Sequence, residues 1–303
     1  MSLFSIKDIE AVSGIKSHTL RIWEQRYGII TPKRTQTNIR YYDEADLKLV
    51  LNISILNRHG YKISEIAKLS SSQIHEIILK LSGSKDVGYD TQIKGLISAM
   101  LLYDEHEFHK LLTTSVIQIG FEKTMINLLL PFLSEIGVLW QVGSINPAHE
   151  HFASNIIKQK LYVAIDGNVG RYCQNRKRFL LFLHENEKHT IGLLFANYVL
   201  RSRGHDVLYL GQELPTEDLK KSGEFSNPDY VLTILTSALS NTDKQKIVDL
   251  TAASWPNANI LLTGSQLMNN DFVVPTNASV IYRIEDFIAL VDSISIDQST
   301  LHN

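Results

Sequence analysis

The chain has 303 residues, of which 44% are hydrophobic and 20% charged, a globular composition and not a disordered one. Its 23 glycines plus prolines exclude collagenous and low-complexity readings, and its single cysteine, Cys173, excludes an internal disulfide or a multi-cysteine zinc site. The net charge of −2 hides an asymmetry: residues 1–80 hold 12 basic against 8 acidic residues, net +4, and the remainder 18 against 24, net −6. A basic head on an acidic body points to a polyanion-binding head and a body with another task.

In chain order, Ser5 caps a first helix reaching Val12, with Asp8 at the capping-box position. Ser13-Gly14 breaks it, and a second helix covers Ser17 to Tyr27 before Gly28. Ile29–Tyr42, with Pro32 and two aromatics, suits a β-hairpin wing. Asp43, with Asp46 three residues on, caps a third helix to about Arg58, which places Leu47, Val50, Leu51 and Ser54 on one face. A fourth short helix covers Ile63–Leu69.

Ser70-Ser71-Ser72 and the stretch Ser82–Asp90 mark boundaries. From Thr91 to about Gly167 the helical period predicts a four-helix bundle, and Pro131 should kink or split the third helix. Beyond Gly170, apolar runs at Phe179–Leu183, Val207–Leu210, Tyr230–Leu235, Ile260–Thr263 and Ser279–Tyr282 alternate with helices. That rhythm predicts a five-stranded, flavodoxin-like or Rossmann-like parallel sheet. The fold expected is therefore multidomain, α and α/β. A winged helix-turn-helix (1–72) leads through a linker (73–90) to the bundle (91–170) and the sheet domain (171–303). The apolar runs are short of the ~18 residues that span a bilayer, and Met1–Ser5 does not open a signal peptide. A cytoplasmic protein with no membrane partner is the expectation.

The second helix offers Lys16, Arg21, Gln25 and Arg26, and the wing adds Lys33, Arg34, Arg40, Tyr41 and Tyr42. Arginine reads guanine by a bidentate contact, and short polar side chains hold phosphates. From the residues alone, a small solvated helical cap is an equal reading. Thr19-Leu20-Arg21-Ile22-Trp23-Glu24, Arg26-Tyr27-Gly28, Pro32, Arg34 and Arg40-Tyr41-Tyr42-Asp43 resemble the DNA-binding domain of the MerR family. They are most similar to the branch that includes light- and cobalamin-dependent regulators of the CarH type. Asn38 stands where the family usually has a wing glycine. The resemblance implies binding of double-stranded promoter DNA as a dimer or tetramer. It gives Lys16, Thr19, Arg21, Trp23, Arg26, Tyr27, Arg34, Arg40, Tyr41 and Tyr42 as the candidate contacts.

In the body, Glu187-Lys188-His189-Thr190-Ile191-Gly192 lies between the first strand and first helix of the α/β region. A carboxylate near a histidine at a strand's carboxyl end suits a metal-binding imidazole, although a lone histidine there is more often a surface or capping residue. Glu187-x-His189-x-x-Gly192 resembles the Asp-x-His-x-x-Gly motif of cobalamin-binding domains, with Glu for Asp. The resemblance implies His189 as the lower axial cobalt ligand of adenosylcobalamin or methylcobalamin. It also implies that the loops carrying Ser237 and Leu239, and Gly264 and Ser265, frame the nucleotide tail. Ser265 replaces the family's second glycine.

Trp140, followed after nine residues by Glu150-His151, resembles a further signature of cobalamin-dependent regulators, in which the indole covers the corrin's upper face. A plain core anchor and a helix start is the other reading of these residues. Gln141 occupies the place of the histidine that takes the cobalt in light-sensing members, with His149 and Pro147 nearby. Arg176-Lys177-Arg178 and Lys158/Lys160 read as solvated clusters, and His184 has no metal-ligand spacing. No catalytic constellation is readable, so a regulator and not an enzyme is expected. The alternatives are a same-fold regulator that senses another ligand or a protein partner, and a corrinoid methyl carrier.

Overall fold

The computed structural model describes residues 4–34, 39–58, 60–70, 72–74, 76–77, 89–141, 145–215, 218–219, 221, 227–237, 239–268 and 272–295. The chain divides into two compact units, Met1–Ile156 and Ile157–Asn303.

The first unit opens with α1 (Ile6–Ser13), held by the reciprocal Ser5/Asp8 capping box and closed by left-handed Gly14. Helix α2 (Ser17–Tyr27) ends at left-handed Gly28. Strands β1 (Lys33–Arg34) and β2 (Arg40–Tyr41) pair antiparallel as the wing. Asn38, singled out above for the wing turn, lies outside the described residues. Helix α3 (Glu44–Arg58) starts on mutual Asp43 and Asp46 hydrogen bonds of 3.0 Å each. Its face of Leu47, Val50, Leu51 and Ser54 is buried, and α4 (Ile63–Ile66) follows. Residues 72–74 and 76–77 are also helical, with Ile74 buried, so ordered structure continues into the stretch whose composition suggested a linker.

The bundle helices are α5 (Asp90–Leu101), α6 (Glu105–Ile119), α7 (Phe121–Thr124), α8 (Leu130–Gln141) and α9 (Pro147–Asp166). Between α7 and α8 the chain runs as one turn of π-helix, Met125–Leu129. Pro131 has no amide hydrogen to donate, and the wider turn just before it absorbs the mismatch, so the helix neither stops nor splits. Met125, Leu128, Leu129, Phe132, Ile136 and Leu139 form its buried face. The division into units falls inside α9.

The second unit is a five-stranded sheet of order β4-β3-β5-β6-β7, every pairing parallel. The strands are β3 (Arg178–His184), β4 (Asp206–Leu214), β5 (Tyr230–Ile234), β6 (Asn259–Thr263) and β7 (Ala278–Val280). Helices α10 (Thr190–Ser202), α11 (Asn241–Ser254) and α12 (Ile284–Ser295) connect or follow them. Leu180, Phe182, Val231, Ile260 and Leu262 join Ile247, Val248 and Trp255 in one buried cluster. Because β3 runs to β4 on one side and β5 on the other, the strand order reverses beside β3. That is the switch point where open α/β sheets bind ligands.

Candidate functional site

In the head, α2 turns Leu20 and Trp23 inward and leaves Arg21 and Arg26 exposed. Glu10, at the end of α1, sets the start of α2. Its Oε2 accepts from the Ser17 amide at 3.0 Å and the Ser17 hydroxyl at 2.5 Å, and Lys16 lies 3.2 Å from its other oxygen. Those hydrogen bonds hold the Glu10 carboxyl down to about 2. The wing is pinned to α2 by Arg40, whose Nε is 3.1 Å from Glu24 Oε2. Lys33 pairs with Asp43 across the hairpin's base. Arg34 is exposed, Thr19, Tyr27 and Tyr41 are half-buried, and the Arg26 guanidinium lies 5.4 Å from the Tyr27 ring centroid.

Two of the expected DNA contacts are corrected. Trp23 is 7% exposed and Tyr42 1%, so neither presents its ring to a groove. Trp23 follows Leu20 by three residues on the buried stripe of α2, and Tyr42 exchanges backbone hydrogen bonds of 2.9 Å with Phe4. Their task is to hold the shape on which Arg21 is displayed. Glu24 escaped the sequence reading, because nothing in the spacing of Glu24 and Arg40 announces a contact made through the wing's return.

In the bundle, Trp140 is more than half exposed, one residue before α8 ends. Glu150 and His151 lie in the first turns of α9, 3.2 Å apart through Oε2 and Nδ1, with the imidazole mostly exposed. His149 is buried. Its Nδ1 accepts the Asn146 amide at 3.3 Å, the Asn146 side chain accepts the His149 amide at 3.1 Å, and its ring stacks on Tyr103 at 4.9 Å. It caps α9, and burial lowers its pKa. Pro147 is the first residue of α9, where a missing amide hydrogen costs nothing.

At the switch point of the sheet, Glu187 is fully buried and receives five hydrogen bonds. Its Oε1 accepts from the His189 amide at 3.0 Å, from His189 Nδ1 at 2.6 Å and from Ser237 Oγ at 3.1 Å. Its Oε2 accepts from the amides of Thr236 at 2.6 Å and Ser237 at 2.7 Å. One carboxylate thus ties the loop after β3 to the loop after β5. Burial pushes its pKa up, but the bonds from His189, Ser237 and Thr236 outweigh that and hold it far below the usual carboxylate range. With its proton on Nδ1, the His189 imidazole carries its lone pair on Nε2, and its side chain is 64% exposed. The Thr236 amide could not be anticipated, because backbone groups leave no mark in a sequence.

Gly192, in the first turn of α10, already lies so close to Ile234 that an added Cβ would sit 3.1 Å from its Cδ1. Gly264, at φ 119°, leaves no room either: a Cβ would stand 2.2 Å from the Leu235 carbonyl oxygen. Ser265 turns its hydroxyl to the Thr236 carbonyl at 3.3 Å, and the Leu239 amide donates to Gln266 Oε1 at 3.4 Å. Among the described residues no three His, Cys, Asp or Glu side chains gather as a cage for a free ion. The donor set is one oriented imidazole backed by a buried carboxylate, which fits a metal that brings its other ligands with it.

Comparison with known proteins places both parts. Residues 4–73 match the MerR HTH family regulatory protein model, and residues 92–165, the bundle, match the B12 binding domain model. The head is thus similar to MerR-family regulators and the bundle to B12-binding domains. It is 29% identical over 226 residues to the HTH-type transcriptional repressor CarH of Myxococcus xanthus, covering 73% of this chain and 74% of that one. It is 27% identical to the repressor CarA of the same organism over 229 residues, 75% of this chain and 74% of CarA. The solved structure of the monomethylamine corrinoid protein of Methanosarcina barkeri superposes with a TM-score of 0.53 at 11% identity. It covers 68% of this chain and all of that one, a likeness of fold.

Proposed function

We propose that this MerR-family protein is a transcriptional regulator whose grip on promoter DNA is set by cobalamin. The head holds duplex DNA with Arg21, Arg26, Lys16 and Thr19 of α2, and with Arg34, Arg40 and Tyr41 of the wing and Tyr27 beside it. His189 would hold the cobalt of bound cobalamin, oriented by Glu187 and Ser237. Leu239, Gly264 and Ser265 line the channel for the nucleotide tail, and Gly192 keeps the helix close. Trp140, with Glu150 and His151, would shield the bound corrinoid, and the protein works as a dimer or tetramer. Bound cobalamin supplies a cobalt–carbon bond that light or ligand exchange can break; the protein supplies orientation and shielding. A ligand shifts an equilibrium only by its unequal affinity for the two states, so the response depends on how much Trp140 gains over an intact upper ligand.

The observation that carries this reading is the Glu187–His189 pair, a buried, five-bonded carboxylate orienting an exposed imidazole at the sheet's switch point. The role is regulatory: both CarH and CarA are named as repressors. The test is the absorption spectrum of the purified protein with adenosylcobalamin in darkness and after illumination, beside His189→Ala. The wild type should show the spectrum of histidine-ligated cobalamin and His189→Ala should not. Identical spectra would place the cobalt elsewhere.

A further inference from the structure

We propose that Lys94 is the joint that couples the bundle helix carrying Trp140 to the DNA-binding helix of the head. This rests on the reading of the chain as a ligand-responsive regulator. Lys94 lies on α5, and its residue is 4% exposed. Its ammonium donates to the Val12 carbonyl at 3.2 Å and pairs with Glu135. Val12 is in the last turn of α1, whose closing carbonyls lack intrahelical partners and carry the negative end of the helix dipole. Glu135 is on α8, five residues before Trp140. One buried cation thus touches a head helix and the cap helix at once.

The head's side of the joint leads on to DNA. Two residues before Val12, Glu10 holds the amide and hydroxyl of Ser17, the first residue of α2. The series runs α8, Glu135, Lys94, Val12, α1, Glu10, Ser17, α2, all within one compact unit. Helix α5 packs on α3 of the head and on α8, so it is the shared wall between head and bundle.

The chemistry of this wall suits a joint that changes state. An interface meant to be permanent is built apolar. Here Ser54 on α3, Thr91 and Lys94 on α5 are each under 5% exposed, and the Ser54 and Thr91 hydroxyls have no partner among the described residues. A buried ammonium is held only while both acceptors stay in place. A shift of α8 that withdraws Glu135 leaves Lys94 with the Val12 carbonyl alone and weakens the hold on α1. The same linkage works in reverse, so DNA on α2 biases α8.

The test uses the full-length protein with Lys94→Met and Glu135→Gln. Amide hydrogen exchange is measured first, without ligand. Glu135→Gln, although placed on α8, should speed exchange in α1 and in the first turn of α2, and Lys94→Met should do so at least as much. The double variant should add nothing beyond Lys94→Met. Second, affinity for a duplex selected from a random pool by the wild type is measured with and without adenosylcobalamin in darkness. The ligand-dependent ratio should shrink by roughly five-fold or more in both variants, the lower end of usual allosteric coupling. The visible spectrum of the bound ligand should stay as in the wild type. If the wild type itself ignores adenosylcobalamin, the proposed function fails and the exchange data alone decide the joint. Unchanged exchange in α1 for Glu135→Gln, or a full wild-type ratio in both variants, overturns it. Should Lys94→Met not fold, Glu135→Gln carries the test, because Glu135 is about one-third exposed.

Discussion

Glu187 Oε1 lies 2.6 Å from His189 Nδ1, joining a carboxylate with no exposure to an imidazole that is mostly exposed. The pair is built from the inside outward: the fixed partner is buried and the working one faces out. Glutamate's extra methylene relative to aspartate lets one side chain reach both the histidine and the amides of Thr236 and Ser237.

Glu187→Gln should therefore destabilise the sheet unit, by about 1.5–3 kcal/mol for each charge-assisted bond that turns into a mismatch. The sign with pH follows from the lowered folded pKa. The stability Glu187 contributes is fully present above the ordinary 4.5 and is lost as pH falls below it towards the folded value. Denaturant unfolding of wild type and variant at pH 7 and pH 4 checks this. The gap between them should be smaller at pH 4, and an equal gap at both would mean that folding does not lower the Glu187 pKa.

The same substitution should weaken cobalt ligation without removing His189. Outer-shell partners of a metal-bound histidine are typically worth 10–100-fold in affinity. Titration of Glu187→Gln with cobalamin, followed by the visible spectrum, should give the wild-type spectrum at a dissociation constant raised by that order. No change in affinity would reduce Glu187 to a loop tie.

In the head, display and support separate cleanly. Arg21→Ala should cost about 1–3 kcal/mol of DNA binding if the guanidinium reads a base, and leave melting unchanged. Trp23→Ala should do the reverse at its origin, costing about 3–5 kcal/mol of stability as a buried aromatic is lost. Parallel gel-shift and thermal unfolding series distinguish them, and a stable Trp23→Ala that fails only on DNA would return the indole to the groove.

Arg40 sits between these cases. Its pair with Glu24 is partly exposed, so breaking it should cost only about 0.2–1 kcal/mol of stability. Glu24→Gln should nevertheless loosen the wing and lower DNA affinity, although it removes a negative charge and would otherwise favour the phosphates. Binding measured for Glu24→Gln, Arg40→Ala and the double variant gives the coupling. Tighter binding by Glu24→Gln would show that the wing needs no pin.

Much of this was legible in the chain, for physical reasons that differ from place to place. Capping boxes are local, so Ser5/Asp8 and Asp43/Asp46 announced their helices to the residue. The switch-point loop was legible because its motif is contiguous, but the amides that hold Glu187 come from a loop some fifty residues later. Trp23 and Tyr42 read as DNA contacts because they lie in the motifs that carry the family resemblance; the three-residue step from Leu20 to Trp23 was the signal that those two face inward. Pro131 promised a kink or a split, and the π turn at Met125–Leu129 carries the helix past it, a compensation that periodicity does not encode. Lys94 was invisible, since a lysine in a helix reads as solvated until its two acceptors are brought to it by folding.

His149 provides a last prediction, on acid sensitivity of the first unit. Asn146 and His149 form a reciprocal cap at the start of α9, with the imidazole as acceptor for the Asn146 amide. An acceptor nitrogen must be unprotonated, and burial already lowers the folded pKa below the ordinary 6.5. The unfolded chain therefore binds a proton first as pH falls through 6.5, and stability drops from there down to the folded pKa. The slope from one such group is at most about 1.4 kcal/mol per pH unit. His149→Gln keeps an acceptor at the same cap position and cannot titrate, so it should lose some stability at pH 7.5 through the Tyr103 stacking, yet fall less steeply towards pH 5.5. His205, whose pKa burial also lowers, titrates equally in both proteins and cancels in the comparison. Thermal unfolding of the two across that range reads the difference in slope, and parallel curves would mean that folding leaves the His149 pKa unchanged.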